Sequence, residues 1–372
     1  FSGGGEMVIN GPLTVCNSGS GAPAQAATLD VSGLSRFTID TSGDIYVGGR
    51  NNGRGVLLLS PDNLLRATNI YAPGSHSWAT AGLTSSILLG EQNMIQADNI
   101  YVGGFGLYGE MEFQNGLTSP NVVLRDYAGT GATNLYIGDM HANDRNVMGT
   151  VDFTAGSVDA VIDQLQVGIA QMRATTEDGN ISATGILSMS AGTIIANSVI
   201  LGRNVNGIDN PFASGTLNLS GGDFDASSII LGQDESPSGR TDRARGTINL
   251  TGGTLTATTI DSGGGEAVFN WTGGALHVDA FGSASSPIPL IQNGGTLAPG
   301  NSVGTTTVYG DYTQAAAGAL QIEIAGTGTG GADFDLVEVH GDTLLAGWLE
   351  VSLLDDFLPE LGDSFDVLST SG

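Results

Sequence analysis

Gly215-Thr-Leu-Asn-Leu-Ser-Gly-Gly-Asp-Phe224 returns 31 residues later as Gly246-Thr-Ile-Asn-Leu-Thr-Gly-Gly-Thr-Leu255. Leu217 and Leu219 alternate with Thr216, Asn218 and Ser220, a period of two that turns one face of a strand into a core. The Gly-Gly pair then supplies a turn, because glycine adopts positive φ without steric cost. Two earlier copies, Gly149-Thr-Val-Asp-Phe-Thr-Ala-Gly-Ser-Val158 and Gly185-Ile-Leu-Ser-Met-Ser-Ala-Gly-Thr-Ile194, precede this pair. A fifth, Ala267-Val-Phe-Asn-Trp-Thr-Gly-Gly-Ala-Leu276, lacks only the leading Gly. Successive copies are offset by 36, 30, 31 and 21 residues.

A short Ala- or Asp-containing step leads from each of the first four copies to a second arm. These arms are Leu165-Gln-Val-Gly168, Val199-Ile-Leu-Gly202, Ile229-Ile-Leu-Gly232 and a degenerate Thr258-Thr-Ile-Asp261. The same arm stands upstream as Ile45-Tyr-Val-Gly48, Ile100-Tyr-Val-Gly103 and Leu135-Tyr-Ile-Gly138. Three short strands and two glycine turns in about 30 residues describe one coil of a solenoid, not a sandwich with strands every 8–12 residues. The sequence therefore predicts an all-β chain. Residues 1–26 form an N-terminal segment able to serve as an edge or assembly strand, 27–290 the solenoid repeats, and 291–372 a C-terminal β-rich segment of longer, hairpin-linked strands. Insertions at 203–214 and 233–245 follow the third strand of a coil and should leave along one edge. Helix signals are confined to Ala315–Ala317 and 355–361, too short to persist.

Composition removes whole classes of function. The chain has 372 residues, 38 acidic against 11 basic, for a net charge of −27, and every basic residue is Arg. Such a chain cannot neutralise a phosphate backbone or hold an anionic membrane surface, so nucleic acid is not an expected partner. No run approaches the roughly 20 apolar residues of a membrane helix, so no insertion in this segment is expected. Without Lys there is no Schiff-base chemistry, P-loop or Lys–Asn isopeptide bond. With 59 Gly, the chain has the turn chemistry of a repeated coil, while 40% hydrophobic residues supply a core. Phe1-Ser-Gly-Gly-Gly5 reads as a mature or trimmed start. Cys16 is the single cysteine and should be buried, with an intermolecular disulfide as the other reading.

The C-terminal segment contains Gly295-Thr-Leu-Ala-Pro-Gly-Asn-Ser-Val-Gly304, Val308-Tyr-Gly-Asp-Tyr312, Asp335-Leu-Val-Glu-Val-His-Gly341 and Gly347-Trp-Leu-Glu-Val-Ser-Leu353. Together with the Gly-Thr-Leu-Asn-Leu-Ser-Gly-Gly copies, these make residues 149–353 resemble the autotransporter-associated β-strand repeat proteins, many of them bacterial surface proteins. The resemblance implies a secreted, right-handed parallel β-solenoid (β-helix) at the cell surface.

Candidate chemistry is sparse. Gly300-Asn-Ser-Val-Gly304 has the G-x-S-x-G spacing, but a strand follows it where a nucleophile elbow needs a helix, and its downstream histidine is His340. Gly326-Thr-Gly-Thr-Gly-Gly331 has the dinucleotide-loop spacing, and again a strand follows. His76, His141, His277 and His340 share no ligand spacing. Asp223/Asp225 and Asp333/Asp335, at i and i+2, would share a strand face as acid/base pairs do, yet no basic residue beyond Arg245 is present to hold an acidic polysaccharide. No enzyme activity is therefore expected, a β-helix polysaccharide-active enzyme being the weakest alternative. Calcium is the one cofactor considered: Asp333, Asp335, Asp355, Asp356, Asp363 and Asp366 either ligate it or are screened by diffuse counter-ions. Asn180, Asn218, Asn249 and Asn270 open N-x-S/T triplets, and the last three share one repeat position, which predicts a stacked amide ladder on an outer face. The expected function is an extracellular structural protein that associates with itself head to tail. Ile322, Ile324, Val337, Val339, Leu349 and Val351 form the expected contact, and a monomeric autotransporter-type adhesin that binds glycan or a host surface is the alternative.

Overall fold

The computed structural model describes residues 1–372 except 2, 17–24, 49–52, 74–82, 105–106, 141–145, 172–180, 206–211, 236–242 and 301. Among the described residues there is no helix; strands of three to 23 residues wind as a parallel β-solenoid with three faces. The strand Phe212–Asp234 shows the plan, because it turns through all three. Residues 213–219 lie on face C, 223–226 on face A and 228–231 on face B, and each pairs in parallel with its counterpart in Ala244–Ser262. Gly215 stands on Gly246, Asn218 on Asn249, Phe224 on Leu255, Ala226 on Ala257 and Ile229 on Ile260. The repeat copies seen in sequence are thus successive layers of one stack.

The stack begins with Glu6–Ile9 on face A, Leu13–Val15 on face B and Gln25–Asp30 on face C, paired to the next coil in parallel. It ends with Thr343–Leu345 on face C, Trp348–Leu353 on face A and Leu368–Thr370 on face B. The hairpins expected over 291–372 do not form. That segment continues the three faces, with parallel strands of three to seven residues, no longer than those before them. The Gly/Thr stretch at 326–331 is a corner of the coil, with only isolated bridges such as Ile324 to Phe334 running antiparallel. The stretch 315–317 is a turn, not helix. Residues 203–214 and 233–245 each connect a face B strand to the next face C strand, as expected of insertions on one edge; positions 206–211 and 236–242 within them lie outside the described residues.

Inward side chains form columns that run the length of the molecule. On face A, Ile194, Phe224, Leu255, Leu276 and Leu297 are fully buried. One continuous apolar cluster extends from Val31 to Val339. Each such side chain contributes roughly 1.5–3 kcal/mol on burial. Faces B and C can close on each other because two glycines meet at their corner. A Cβ on Gly215 would overlap the Val167 carbonyl oxygen and the Gly202 nitrogen, and Gly202, at φ +71°, would overlap the Arg245 backbone. The leading Gly of each copy and the terminal Gly of each Ile-Leu-Gly arm are therefore one device: backbone packed on backbone.

Gly215→Ala is expected to destabilise the solenoid by about 1–3 kcal/mol in chemical denaturation, the usual penalty for overpacking. Gly11→Ala, with nothing within 4 Å of the added Cβ, is expected to leave the midpoint unchanged.

Candidate functional site

Parallel register places equal residues one strand spacing apart, and the predicted asparagine ladder forms. Asn249 Nδ2 donates to Asn218 Oδ1 at 2.7 Å and Asn270 Nδ2 to Asn249 Oδ1 at 2.8 Å. Asn218 Nδ2 continues the chain to Ser188 Oγ at 3.0 Å. A second ladder, not foreseen, runs on face B from Asn134 through Asn99 and Asn69 to Asp44, with bonds of 3.0, 2.9 and 2.8 Å. Beside it Tyr46, Tyr71, Tyr101 and Tyr136 stack with ring centroids 4.8–4.9 Å apart. Burial raises the phenols of Tyr71, Tyr101 and Tyr136 above the usual tyrosine range, so these three are neutral. These ladders brace the outer faces.

The expected assembly residues divide. Ile322, Ile324, Val337 and Val339 are buried core positions, because another coil stacks on them, and so they cannot form a contact surface. Leu349 and Val351 belong to that last coil and are 57% and 53% exposed.

The acidic residues considered for calcium do not converge: among the described residues no group of three or more His, Cys, Asp or Glu could hold a metal ion. Asp355 and Asp356 occupy left-handed turn positions, at φ 52° and 58°. Asp363 Oδ2 accepts from Glu360 N at 2.6 Å, and Asp366 is exposed. Asp333 and Asp335 do not share a strand face, because they precede the strand Leu336–Val339, with Asp333 in the turn 331–333, where its Oδ2 accepts from Thr329 N at 2.7 Å. Asp335 is buried, 2% exposed, and serves as a staple. Its Oδ1 accepts from Gly304 N at 2.8 Å and its Oδ2 from Glu323 N at 2.7 Å. Cys16 is half-buried rather than fully buried, with Sγ 3.5 Å from the Gln25 carbonyl oxygen.

Of the histidines, His76 and His141 lie outside the described residues, as does Asn180, and His340 stacks on Tyr309 at 4.9 Å. His277 is the one with a setting. Its Nδ1 is 3.1 Å from the Gly300 carbonyl oxygen, and since a carbonyl only accepts, Nδ1 carries the hydrogen; in a neutral ring Nε2 is then an acceptor. His277 and Asp335 therefore hold Gly300 and Gly304 through their backbone groups. Ser302 sits between them at φ 132°. It has the serine of the G-x-S-x-G spacing, and the strand Thr305–Val308 follows it where a nucleophile elbow has a helix.

Two adjoining cavities of ≈ 280 Å³ each meet at His277 on face A. The first is floored by Ala196, Ala226 and Ala257, which stand in register, and flanked by Asp225, Thr256 and His277. The second is lined by Pro299, Ser302, Gln321, Glu323 and Asp335. Together they make a trough running across the strands. Sequence reading saw the alanines only as steps between arms and His277 only as an isolated histidine.

No family model, curated protein or solved structure matches this chain.

Burial pushes the Asp335 carboxyl up to about 6, against the two backbone bonds that favour the charged form. The folded state then holds a proton more tightly than the unfolded chain, so this group's contribution to stability is full near pH 4 and declines as pH rises through 6. Asp335→Asn is expected to flatten that part of the stability-against-pH curve. Loss of the middle amide in Asn249→Leu removes two ladder bonds and is expected to cost about 1–2 kcal/mol, measured by the same denaturation assay.

Proposed function

We propose that this protein is an extracellular structural solenoid whose copies stack head to tail into a filament. What supports this reading is the parallel register itself, which would let a coil of one copy pair with a coil of another as coils pair within the chain. Leu320 is 4% exposed, and Leu349, stacked directly on it, is 57% exposed; Val351 and Leu353 follow at 53% and 47% on top of buried Ile322 and Ile324. Apolar inward positions and an unpaired strand edge are what a further parallel coil would cover. The opposite end of the stack offers such a coil: Met7, Ile9 and Leu13 are only partly buried against the core, and Val8 is 58% exposed.

Charge favours unlike ends. Residues 1–73 carry five acidic side chains and four Arg, whereas residues 290–372 carry twelve acidic side chains and no basic one. Stacking acidic end on acidic end sets like charges together; stacking acidic end on nearly neutral end does not. A head-to-tail contact that fails to close on itself extends without limit, which gives a fibre. The location outside the cell rests on the resemblance of the repeats to those of bacterial surface proteins.

Because the C-terminal end is so acidic, assembly is expected to be promoted by acid or by divalent cations, which reduce its repulsion. Light scattering and negative-stain microscopy across about pH 4 to 8, with and without calcium, should show rods lengthening end to end. Leu349→Asp with Val351→Asp, at exposed positions, should leave the circular dichroism unchanged and stop the lengthening. Monodisperse single rods under every condition, or assembly indifferent to pH and salt, would contradict the reading.

A further inference from the structure

We infer that the trough at His277 is a binding site for a linear, uncharged, hydroxyl-rich glycan lying along the solenoid axis. The inference stands apart from end-to-end assembly, since the site is on face A and not at the last coil.

Its shape comes from the register. Ala196, Ala226 and Ala257 turn inward at the corner between faces A and B and are too small to fill it, which leaves a recess. Outward neighbours rise on both sides: Asp225, Thr256 and His277 on one, Ser227, Thr258 and Asp279 on the other. The trough reaches from Ile195 in the strand Gly192–Asn204 to Glu323 in Gly318–Ile324. That is five strand steps on face A, roughly 24 Å at about 4.8 Å per step. An occupant of this trough is extended and runs perpendicular to the strands.

The lining specifies its chemistry. Asp225, Asp279, Glu323 and His277 Nε2 accept hydrogen bonds, and the hydroxyls of Ser227, Thr256 and Thr258 both donate and accept. A chain of hydroxyl groups answers that pattern at every step. An anionic polymer does not, because the sequence has no Arg or Lys after Arg245, and Arg245 lies on face C with its Nε 3.6 Å from Glu266. An extended peptide would look for a free strand edge. The face A strands under the trough pair with a neighbour on each side, so they offer none. The second cavity has a built wall: beside Pro299 and Ser302, the Gly300 carbonyl is bound to His277 and the Gly304 N–H to the buried Asp335.

The four histidines make the test direct. In protein labelled with nitrogen-15 at histidine, titration with neutral glucose and mannose hexasaccharides is followed by ring signals, with a galacturonate hexamer as the acidic counterpart. At least one neutral hexasaccharide should shift the His277 signals with a dissociation constant in the millimolar range or tighter, and the acidic hexamer should not. Binding measured by calorimetry should weaken about tenfold or more in Asp225→Ala and in His277→Ala, the loss of one good hydrogen bond or more. It should persist in the Leu349→Asp, Val351→Asp variant, which separates this site from assembly. Failure of every neutral hexasaccharide to move His277 at ~10 mM, equal binding of the acidic hexamer, or undiminished binding in both trough variants would overturn the assignment.

Discussion

Everything in this molecule depends on the parallel register between successive coils. Interior strands receive backbone hydrogen bonds from the coil before and give them to the coil after, so no coil satisfies its own polar groups. Register also decides which side chains meet, because it superimposes position on equal position about every 4.8 Å. Amides and phenols profit from meeting their own kind: Asn218, Asn249 and Asn270 donate and accept in turn, and the four tyrosines stack ring on ring. The glycine corner is the condition for all of it. With side chains in place of Gly202 and Gly215, faces B and C could not approach closely enough for the columns to stay aligned.

The same register makes a large negative charge hard to carry, since identical acidic positions would stack into rows of like charge. The chain disperses them. On face A, Asp159 stands between Val123 and Thr193, and Asp225 between Ile195 and Thr256. Arg125 answers Asp159 through both carboxylate oxygens, at 2.8 and 2.9 Å. Where dispersal fails the effect is visible: Glu112 has Asp152 in register and Glu110 on the same face, and burial followed by these two neighbours raises its carboxyl above the usual range. A fold that tolerates −27 does so by alternating acids with neutral residues in register and collecting the remainder toward one end.

The parts legible in sequence were those in which register and repetition coincide. The Gly-Thr-Leu-Asn-Leu-Ser-Gly-Gly copies gave the coil, its three strands and the Asn218 ladder, because one motif marks the same structural position each time. The tyrosine stack was half visible: Tyr46, Tyr101 and Tyr136 stand in quoted arms, but Tyr71 sits in Asn69-Ile-Tyr-Ala72, where Ala replaces the marker Gly. Gly294-Gly-Thr-Leu297 is a further layer, with Leu297 on Leu276, yet its surroundings had lost the repeat and invited hairpins. Core residues Ile322, Ile324, Val337 and Val339 look identical in sequence to edge residues. What separates them from Leu349 and Val351 is the presence of a coil on the next layer, and an alternating pattern carries no information about that. The trough was hidden for a related reason: alanines are weak signals singly and form a recess only when stacked.

A strict repeat satisfies itself, and ligands and partners find purchase where it is broken. One such place is the strand Trp348–Leu353, where Leu349, stacked on Leu320, is exposed. The other is in mid-stack. The offset between copies falls from 31 to 21 residues at Ala267, and within the next coils Gly300 is bound to His277 and Gly304 to Asp335. His277 occupies the register position held by Asp225 and Thr256 in the coils before it, so a row of short side chains acquires a ring whose Nδ1 donates to the Gly300 carbonyl. That substitution changes nothing in the core, where Leu276 stacks on Leu255 as in any other layer. The interior thus fixes the scaffold, while the outward positions of the same strands are free to differ, and that separation lets one uninterrupted core carry a distinct surface at each level.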